Sequence, residues 1–201
     1  MSQNALKASL PPTLPERMIY LRDIEDDDLE RLYHWRREPE VDRWMYGLPP
    51  QSFENHATWW RALRADPDRV GWIICWRGAP VGVMTFDGLA SPHRRAQLGW
   101  YIGAAEARGR GLGRAAQALG LDRLFRSHPV EKVWAQVLAD NDTALRAQAA
   151  AGFRREGYMR RHCFKAGAFH DVVLLGVLRE EWEAVRGRVL RDLTASNLIA
   201  A

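Results

Sequence analysis

The stretch Arg108-Gly109-Arg110-Gly111-Leu112-Gly113 lies between an apolar run typical of a β-strand and an alanine-rich run typical of a helix. Glycine lets a backbone come close to an anion, and the N–H groups at the start of a helix converge on it together with the positive end of the helix dipole. Arg108, Arg110 and Arg114 add positive charge around the turn. The stretch therefore predicts a turn that holds a phosphate group.

The spacing of these glycines differs from that of two common phosphate-binding loops. A dinucleotide-binding turn needs Gly-x-Gly-x-x-Gly after the first strand, and a nucleoside-triphosphate loop needs Gly-Lys-Ser/Thr; neither is present. In its residues, spacing and flanking elements the stretch resembles the pyrophosphate turn of the GNAT superfamily of acetyl-CoA-dependent N-acetyltransferases.

The resemblance extends to the segments on both sides of the turn. Residues 95–103 resemble the central strand of that superfamily, 115–125 its buried helix and 132–139 a second strand, while Asn141 opens a helix that closes at 152–153. This order implies an α/β GNAT (acyl-CoA N-acyltransferase) fold, with a mixed, mostly antiparallel sheet of about seven strands flanked by helices. It also implies that the two strands separate and that the pantetheine arm of acetyl-CoA lies in the gap. The cofactor contacts implied are Ile102, Arg108, Gly109, Arg110, Gly111, Leu112, Gly113, Arg114 and Asn141.

The rest of the chain predicts strands and helices from its hydrophobic periodicity and turn residues. Acids at 26–28 lie directly before the apolar side of a helix, which favours a helix start over a metal site. Pro39 is expected to end that helix. The other predicted elements are a strand at 17–24, a short helical turn at 41–46, a helix at 53–66, a hairpin of 71–76 with 80–86, a final hairpin of 154–165 with 171–178, and a helix at 180–193.

Length and composition predict one domain. The chain has 201 residues, of which 47% are hydrophobic, enough for one sizeable core. We expect a disordered arm at 1–16, an acetyltransferase domain at 17–193 and a tail at 194–201. Without a long apolar run or a signal-peptide pattern, no membrane contact and a cytoplasmic location are expected. Cys75 and Cys163 form no CxxC pair and the six histidines no HxH or HxxxH pair, so neither a disulfide framework nor a metal site is predicted.

The net charge of +4 with a sequence pI near 9.4 raises the question whether the protein binds nucleic acid. The arginines are scattered and alternate with acids, as on solvated surfaces, so no nucleic-acid partner is expected. The phosphates of acetyl-CoA account for a local basic excess.

The aromatic residues of the N-terminal half indicate an acceptor surface. Trp35 is expected in the core, as most tryptophans at helical spacing are. Trp44, Met45 and Tyr46 directly precede a Gly/Pro-rich turn, and three such bulky neighbours do not all face inward. Part of their surface is therefore predicted to meet a ligand.

A narrower resemblance covers roughly residues 17 to 182. His34-Trp35-Arg36-Arg37, Trp44-Met45-Tyr46, Ser52-Phe53-Glu54-x-His56 and the ending at 169–175 are similar to the acetyltransferases of pseudaminic-acid biosynthesis, which act on the 4-amino group of a UDP-linked amino-deoxy sugar. The resemblance implies a small-molecule amine acceptor, a nucleotide-linked amino sugar, with a homodimer as a possible assembly. The substrate contacts it implies are Trp44, Met45, Tyr46, Trp59 and Tyr101.

An alternative acceptor stays open, because protein N-terminal acetyltransferases that modify ribosomal proteins have similar closing strands. A peptide acceptor needs an open groove with polar partners, whereas a nucleotide needs a flat apolar face. A third alternative is a module that binds acyl-CoA without turnover.

Amine acetylation requires a base, because a protonated amine has no lone pair to attack the thioester. Many GNAT relatives use a Glu in the central strand as the base and a Tyr in the helix after the Asn as the acid; here the matching residues are Gln97 and Gln148, which do not titrate usefully. Asn141 is expected to cap its helix and to contact the pantetheine arm. Cys163 is interpreted as packing and not as a nucleophile. The candidate bases are Asp87, His56, Glu54 and His162, and the candidate acids are Tyr101 and Tyr158.

Overall fold

The computed structural model describes residues 18–199, so the arm predicted at 1–16 lies outside the described residues. Seven strands form one sheet in the order β1-β2-β3-β4-β5-β7-β6. The strands are β1 (Ile19–Asp23), β2 (Arg69–Trp76), β3 (Ala79–Asp87), β4 (Arg95–Ile102), β5 (Lys132–Leu138), β6 (Arg154–Lys165) and β7 (Ala168–Leu178). The helices are α1 (Leu29–Arg37), α2 (Pro39–Asp42), α3 (Phe53–Ala65), α4 (Leu112–Ser127), α5 (Asp142–Ala150) and α6 (Arg179–Ala195).

The sheet is mixed because β4 and β5 are parallel, whereas the other neighbouring strands pair antiparallel. The parallel register covers only three pairs, from Arg95 with Lys132 to Gln97 with Trp134. Beyond these pairs β4 continues to Ile102 and β5 to Leu138 without pairing to each other. The strand separation predicted from the resemblance is therefore present, and it confirms the fold.

Helix α4 lies close to one face of the sheet at two glycines. A Cβ atom at Gly113 would lie 2.7 Å from the ring of Trp100, and a Cβ at Gly120 would overlap the sulfur of Met84. Leu121 and Leu124, on the same helix, are completely buried. One part of the core therefore sits between this face of the sheet and α4.

The opposite face of the sheet carries α1 and α3. Gly71 on β2 approaches Ile24 and Leu63, and Gly103 after β4 is covered by the indole of Trp35. Since side chains alternate along a strand, Thr85 and the odd-numbered residues of β4 from Gln97 to Tyr101 belong to this second face.

Two predicted boundaries differ from the structure. Pro39 was expected only to end a helix, but it also begins α2, because a proline suits the first turn of a helix, where its missing N–H is not needed. The short helix expected at 41–46 is this α2, which ends at Asp42. At the other end, α6 runs through Ala195, and the backbone N–H of Ile19 donates to the carbonyl of Leu198 at 2.7 Å.

Candidate active site

The phosphate turn presents its backbone toward open space. Gly109 and Gly111 have φ of +72° and +77°, the left-handed region that L side chains disfavour. Gly111 is the N-cap of α4, so the first N–H groups of the helix begin at Leu112. Apart from its two chain neighbours, no described residue has an atom within 4 Å of a Cβ built at Gly109. The turn therefore has the geometry of an anion site at a helix N-terminus.

Gly113 has a different role from that of the two preceding glycines. It lies inside α4, and its missing side chain makes room for the ring of Trp100. Its contribution is the close packing of the helix on the sheet, which holds the turn in place.

Arg108 faces inward, in contrast to its predicted role as a charge around the phosphate. Its Nε donates to the carbonyl of Ile102 at 3.1 Å, and its Nη2 donates to the carbonyl of Gly103 and to Oε2 of Glu38 at 2.6 Å. Glu38 lies between α1 and α2. Arg108 therefore ties the end of β4 to the α1–α2 junction, and the carboxylate already balances its charge.

The other two arginines of the turn are nearer to the surface. Arg110 is exposed, donates from Nε to the carbonyl of Glu106 at 2.6 Å, and lies 5.5 Å from the ring centre of Trp76. Arg114 lies 3.6 Å from a carboxylate oxygen of Asp192 on α6. Arg110 therefore leaves positive charge beside the backbone cradle, whereas Arg114 shares its charge with Asp192.

Asn141 caps the helix that follows β5. Its Oδ1 accepts the backbone N–H of Ala144 at 3.1 Å, and α5 starts at the next residue. The capping role expected from the sequence is present, while a contact of Asn141 with the pantetheine arm stays a prediction.

A row of partly polar residues lies on the second face of the sheet, around the point where β4 and β5 separate. Asp87 and Gln97 are cross-strand partners, as are Thr85 and Gly99. Gln97 also pairs with Trp134, and Gly99 is exposed. We call the following residues the floor: Thr85, Asp87, Gln97, Gly99, Tyr101, Trp134 and Gln136.

Four floor residues are not among the site residues predicted from the sequence: Thr85, Gly99, Trp134 and Gln136. A period-two pattern was visible, since Trp134 and Gln136 alternate with apolar Val133 and Ala135. The pattern does not reveal which strand lies next to which, so it did not bring these residues to the same place as Asp87.

Asp87 lies at the edge of the floor beside Gln97. Its Oδ1 is 3.0 Å from Nε of Arg69. Partial burial raises the pKa of Asp87 above its ordinary value; Arg69 opposes this, and the negative charges of Asp68 and Asp66 add to it. A carboxylate with a raised pKa is a better base than an ordinary surface carboxylate.

Tyr101 points its hydroxyl group into the protein. This oxygen is buried and has no hydrogen-bond partner among residues 18–199. Burial raises the pKa of Tyr101, and the nearby guanidinium of Arg36 opposes the shift only in part. The phenol therefore stays protonated and keeps a free O–H donor.

His56, one of the predicted bases, lies away from the floor. It packs between Tyr33 and Trp60, and its Nε2 accepts the indole N–H of Trp60 at 3.0 Å. Burial lowers the pKa of His56 to about 4, with Arg36 adding to the shift. With its lone pair engaged in an aromatic cluster, His56 is a structural residue, which argues against its role as a base.

The remaining candidate acids and bases also lie apart from the floor. Tyr158 donates to Asp171 at 2.6 Å and pairs with Val173, which belongs to the α4 side of the sheet. Glu54 is exposed in the first turn of α3, and His162 is exposed where the register of β6 shifts. Among the titratable candidates, Asp87 and Tyr101 are therefore the ones that the fold brings to the floor.

Residues 43–48, here called the 43–48 loop, carry three of the predicted acceptor contacts. The guanidinium of Arg43 lies 4.4 Å from the ring centre of Trp44 and covers it. Tyr46 is 39% exposed, and partial burial of its hydroxyl raises its pKa, with Cys163 adding to the shift. The carbonyl of Met45 accepts from Lys165. The loop is thus a mixed polar and aromatic surface rather than a flat apolar one.

Trp59 is separated from the 43–48 loop in sequence and lies on α3. Trp59 is 48% exposed, and its ring meets the ring of Trp60 edge-on at 4.8 Å. This ring contact lies within its own helix, and the role of Trp59 as a substrate contact stays a prediction.

Gln148, at the position where relatives carry an acid, is buried on α5, and its Oε1 has no hydrogen-bond partner among the described residues. Its amide does not titrate, so any proton reaching the leaving thiolate comes from elsewhere.

The sequence matches the acetyltransferase (GNAT) domain family over residues 18–154. Together with the separated strands and the turn at the start of α4, this match establishes that the chain belongs to the GNAT acetyltransferase family. It is an N-acetyltransferase that takes its acetyl group from acetyl-CoA.

Related proteins agree with this class. The chain is 25% identical over 172 residues to a putative ribosomal N-acetyltransferase, YdaF, of Bacillus subtilis, an alignment that covers 82% of this chain and 93% of that protein. A spermidine N-acetyltransferase from Vibrio cholerae in complex with CoA and spermine has a TM-score of 0.78 at 21% identity, covering 83% of this chain and 98% of its own. Mycobacterium smegmatis RimJ in complex with CoA-disulfide has a TM-score of 0.77 at 24% identity, with 92% and 93% covered.

Residues 18–199 contain no group of three or more His, Cys, Asp or Glu side chains arranged to hold a metal ion. None of their helices is both long enough and apolar enough to cross a membrane.

Proposed function

We propose that the acceptor of this enzyme is the α-amino group of a protein N-terminus. The observation that carries the proposal is the floor: it is open at Gly99 and lined by the polar side chains of Thr85, Gln97 and Gln136. Polar side chains suit an extended peptide, which presents its own N–H and C=O groups.

The similarity to a protein described as a putative ribosomal N-acetyltransferase supports this proposal. The aromatic residues support it in a second way, because Trp44 is covered by Arg43 and Tyr101 has its hydroxyl buried. A large flat apolar face, as a nucleotide base needs for stacking, is thus not formed by these two rings.

Asp87 is proposed as the base. The amine must lose a proton so that its nitrogen can attack the thioester carbon of acetyl-CoA; a C–N bond forms and the C–S bond breaks. Asp87, directly or through a water molecule, takes the proton beside Gln97, whose amide can hydrogen-bond the incoming amine. The CoA thiolate takes the electrons of the broken C–S bond, and because it is only moderately basic it leaves without a strong acid. Tyr101 is proposed to contact the acceptor with its ring, because its hydroxyl is buried.

The nucleotide-linked amino sugar predicted from the sequence is the second candidate acceptor. Tyr46 and Trp59 favour it, because both rings are partly exposed, and a ring stacked on a base contributes roughly 1–3 kcal/mol. The homodimer and the cytoplasmic location also stay predictions.

Thiol release from acetyl-CoA tests the proposal, measured with three acceptors at equal concentration: peptides with small N-terminal residues, a UDP-linked 4-amino-4,6-dideoxy sugar, and spermidine. We expect turnover with the peptides, and none with the same peptides blocked at the α-amino group. Turnover with the sugar alone would assign the nucleotide-sugar acceptor, and turnover with spermidine alone would assign a polyamine. Acetyl-CoA binding without turnover of any acceptor would indicate a non-catalytic module.

A further inference from the structure

Lys165, the last residue of β6, lies against the 43–48 loop, although the sequence separates them by about 120 residues. Its Nζ donates to the carbonyl of Asp42 at 2.7 Å and to that of Met45 at 2.6 Å, and it lies 3.3 Å from the carboxylate of Asp42. An ammonium group has three donors, and these three acceptors match them. Only 12% of the Lys165 side chain is exposed, so its contact with the loop is largely shielded from water.

Arg36 holds the same loop from α1. Its Nη1 donates to the second carboxylate oxygen of Asp42 at 2.5 Å, and its Nη2 donates to the carbonyls of Gly47 and Leu48. Burial alone would raise the pKa of Asp42, but the hydrogen bonds from Arg36 and Lys165 outweigh it and lower that pKa. Asp42 therefore stays ionised as a bridge between the two cations.

The anchored loop lies on the same side of the sheet as the floor. Lys165 pairs with Ala168, and Cys163 pairs with His170. Ala168 and His170 are an even number of residues away from Leu174 on β7, and Leu174 pairs with the floor residue Gln136. Because side chains alternate along a strand, these residues lie on the same side of the sheet. Arg36, at the other end of the loop, lies close enough to Tyr101 to affect its titration. The loop therefore spans from α1 to β6 beside the floor, with both ends fixed by charge.

We propose that Lys165 is a positioning residue for the acceptor: by tying the 43–48 loop to β6, it fixes Met45 and Tyr46 at the border of the floor and so sets acceptor affinity. The proposal rests on the proposed function, since the loop matters for the reaction only when the acceptor binds at the floor. It assigns no chemical step to Lys165, because all its donors are used within the protein.

The test compares Lys165→Met, which keeps the length of the side chain and removes its charge, with Asp42→Asn, which keeps shape and weakens the same bridge. Lys132→Met is the matched control: it removes another lysine ion pair, with Glu156 at 2.6 Å, from the same sheet. Amide hydrogen exchange of the 43–48 loop is measured in each variant without acceptor, together with CoA affinity and the steady-state constants for the active acceptor.

We expect loop exchange to accelerate tenfold or more in Lys165→Met and Asp42→Asn, acceptor KM to rise at least fivefold with kcat changing less, and CoA affinity to stay within twofold. Lys165→Arg should restore part of the KM. Unchanged loop exchange in both variants would overturn the proposal, as would a mobile loop with unchanged KM, or equal effects of Lys132→Met. If the wild-type protein turns over no acceptor, the proposed function fails, while the exchange experiment still decides whether Lys165 holds the loop.

Discussion

The three glycines of the phosphate turn are needed for different reasons. Gly109 and Gly111 both adopt left-handed conformations in open space, where a side chain would meet no neighbour within 3.4 Å but would strain the backbone by about 1–2 kcal/mol. Gly113 instead avoids a steric clash with Trp100. The same residue type therefore serves anion access at two positions and helix packing at the third.

Replacing Gly111 with valine should weaken CoA binding at least tenfold. The substituted residue leaves the left-handed region, and the first N–H groups of α4 then no longer converge on the pyrophosphate. Isothermal titration with CoA measures the effect. Gly167→Val is the matched control, since Gly167 has a φ of +80° and equally open surroundings in the β6–β7 turn. Equal CoA affinity in the Gly111 variant and the wild type would contradict the assignment of the turn.

Asp87→Asn should lower kcat/KM for the acceptor about a hundredfold or more, because a general base commonly contributes that much. CoA affinity should stay unchanged, and part of the lost activity should return at high pH, where the amine is already unprotonated. Asp66→Asn serves as the control, since Asp66 also faces Arg69, at 3.5 Å, but is not a floor residue. Similar losses in both variants would show that the pairing with Arg69, and not base catalysis, is what matters.

At the scale of elements, α4 is placed by glycines that let it approach the sheet. Gly120→Ala should destabilise the protein by about 1–3 kcal/mol, because its Cβ would overlap the sulfur of the completely buried Met84. Gly187→Ala in α6 meets only the flexible end of Arg191 at 3.3 Å, and should stabilise by about 0.5–1 kcal/mol through helix propensity. Urea unfolding of both variants measures these changes, and changes of the same sign would contradict this account of α4.

Arg108 joins two elements, the end of β4 and the α1–α2 junction. Arg108→Met should destabilise the protein by roughly 1–3 kcal/mol, since it removes charged hydrogen bonds to two carbonyls and a carboxylate. Glu38→Gln should cost less, because it removes one partner only and Glu38 is partly exposed. Thermal unfolding distinguishes them. An Arg108→Met variant of full stability but poor CoA affinity would instead favour direct contact of Arg108 with the phosphate.

For the whole molecule, the stability should depend on pH through His56. The folded protein holds the pKa of His56 near 4 through burial, while an unfolded histidine titrates near 6.5. Below pH 6.5 the unfolded chain therefore binds a proton that the folded one does not, so the free energy of unfolding falls as the pH is lowered toward 4. The expected slope between pH 6 and pH 5 is roughly 1 kcal/mol per pH unit.

Urea unfolding at several pH values measures this slope. His56→Gln keeps an acceptor for the indole of Trp60 but has no proton to gain. The change in its free energy of unfolding per pH unit should therefore be smaller by the amount that the uptake of one proton contributes. An equal slope in the variant and the wild type would contradict the burial of a neutral His56.

The sequence by itself determined the phosphate turn and the order of strands and helices, and with them the GNAT fold. These features are local: a left-handed glycine such as Gly111, a cap such as Asn141 and the alternation of a strand are set within a few residues. Only the tertiary structure decided which side chains meet. It paired Arg108 with Glu38, brought Asp87 beside Gln97 and put Lys165 against the 43–48 loop. These contacts form when distant segments pack on one sheet, so they cannot be predicted from the neighbours of a residue in the sequence.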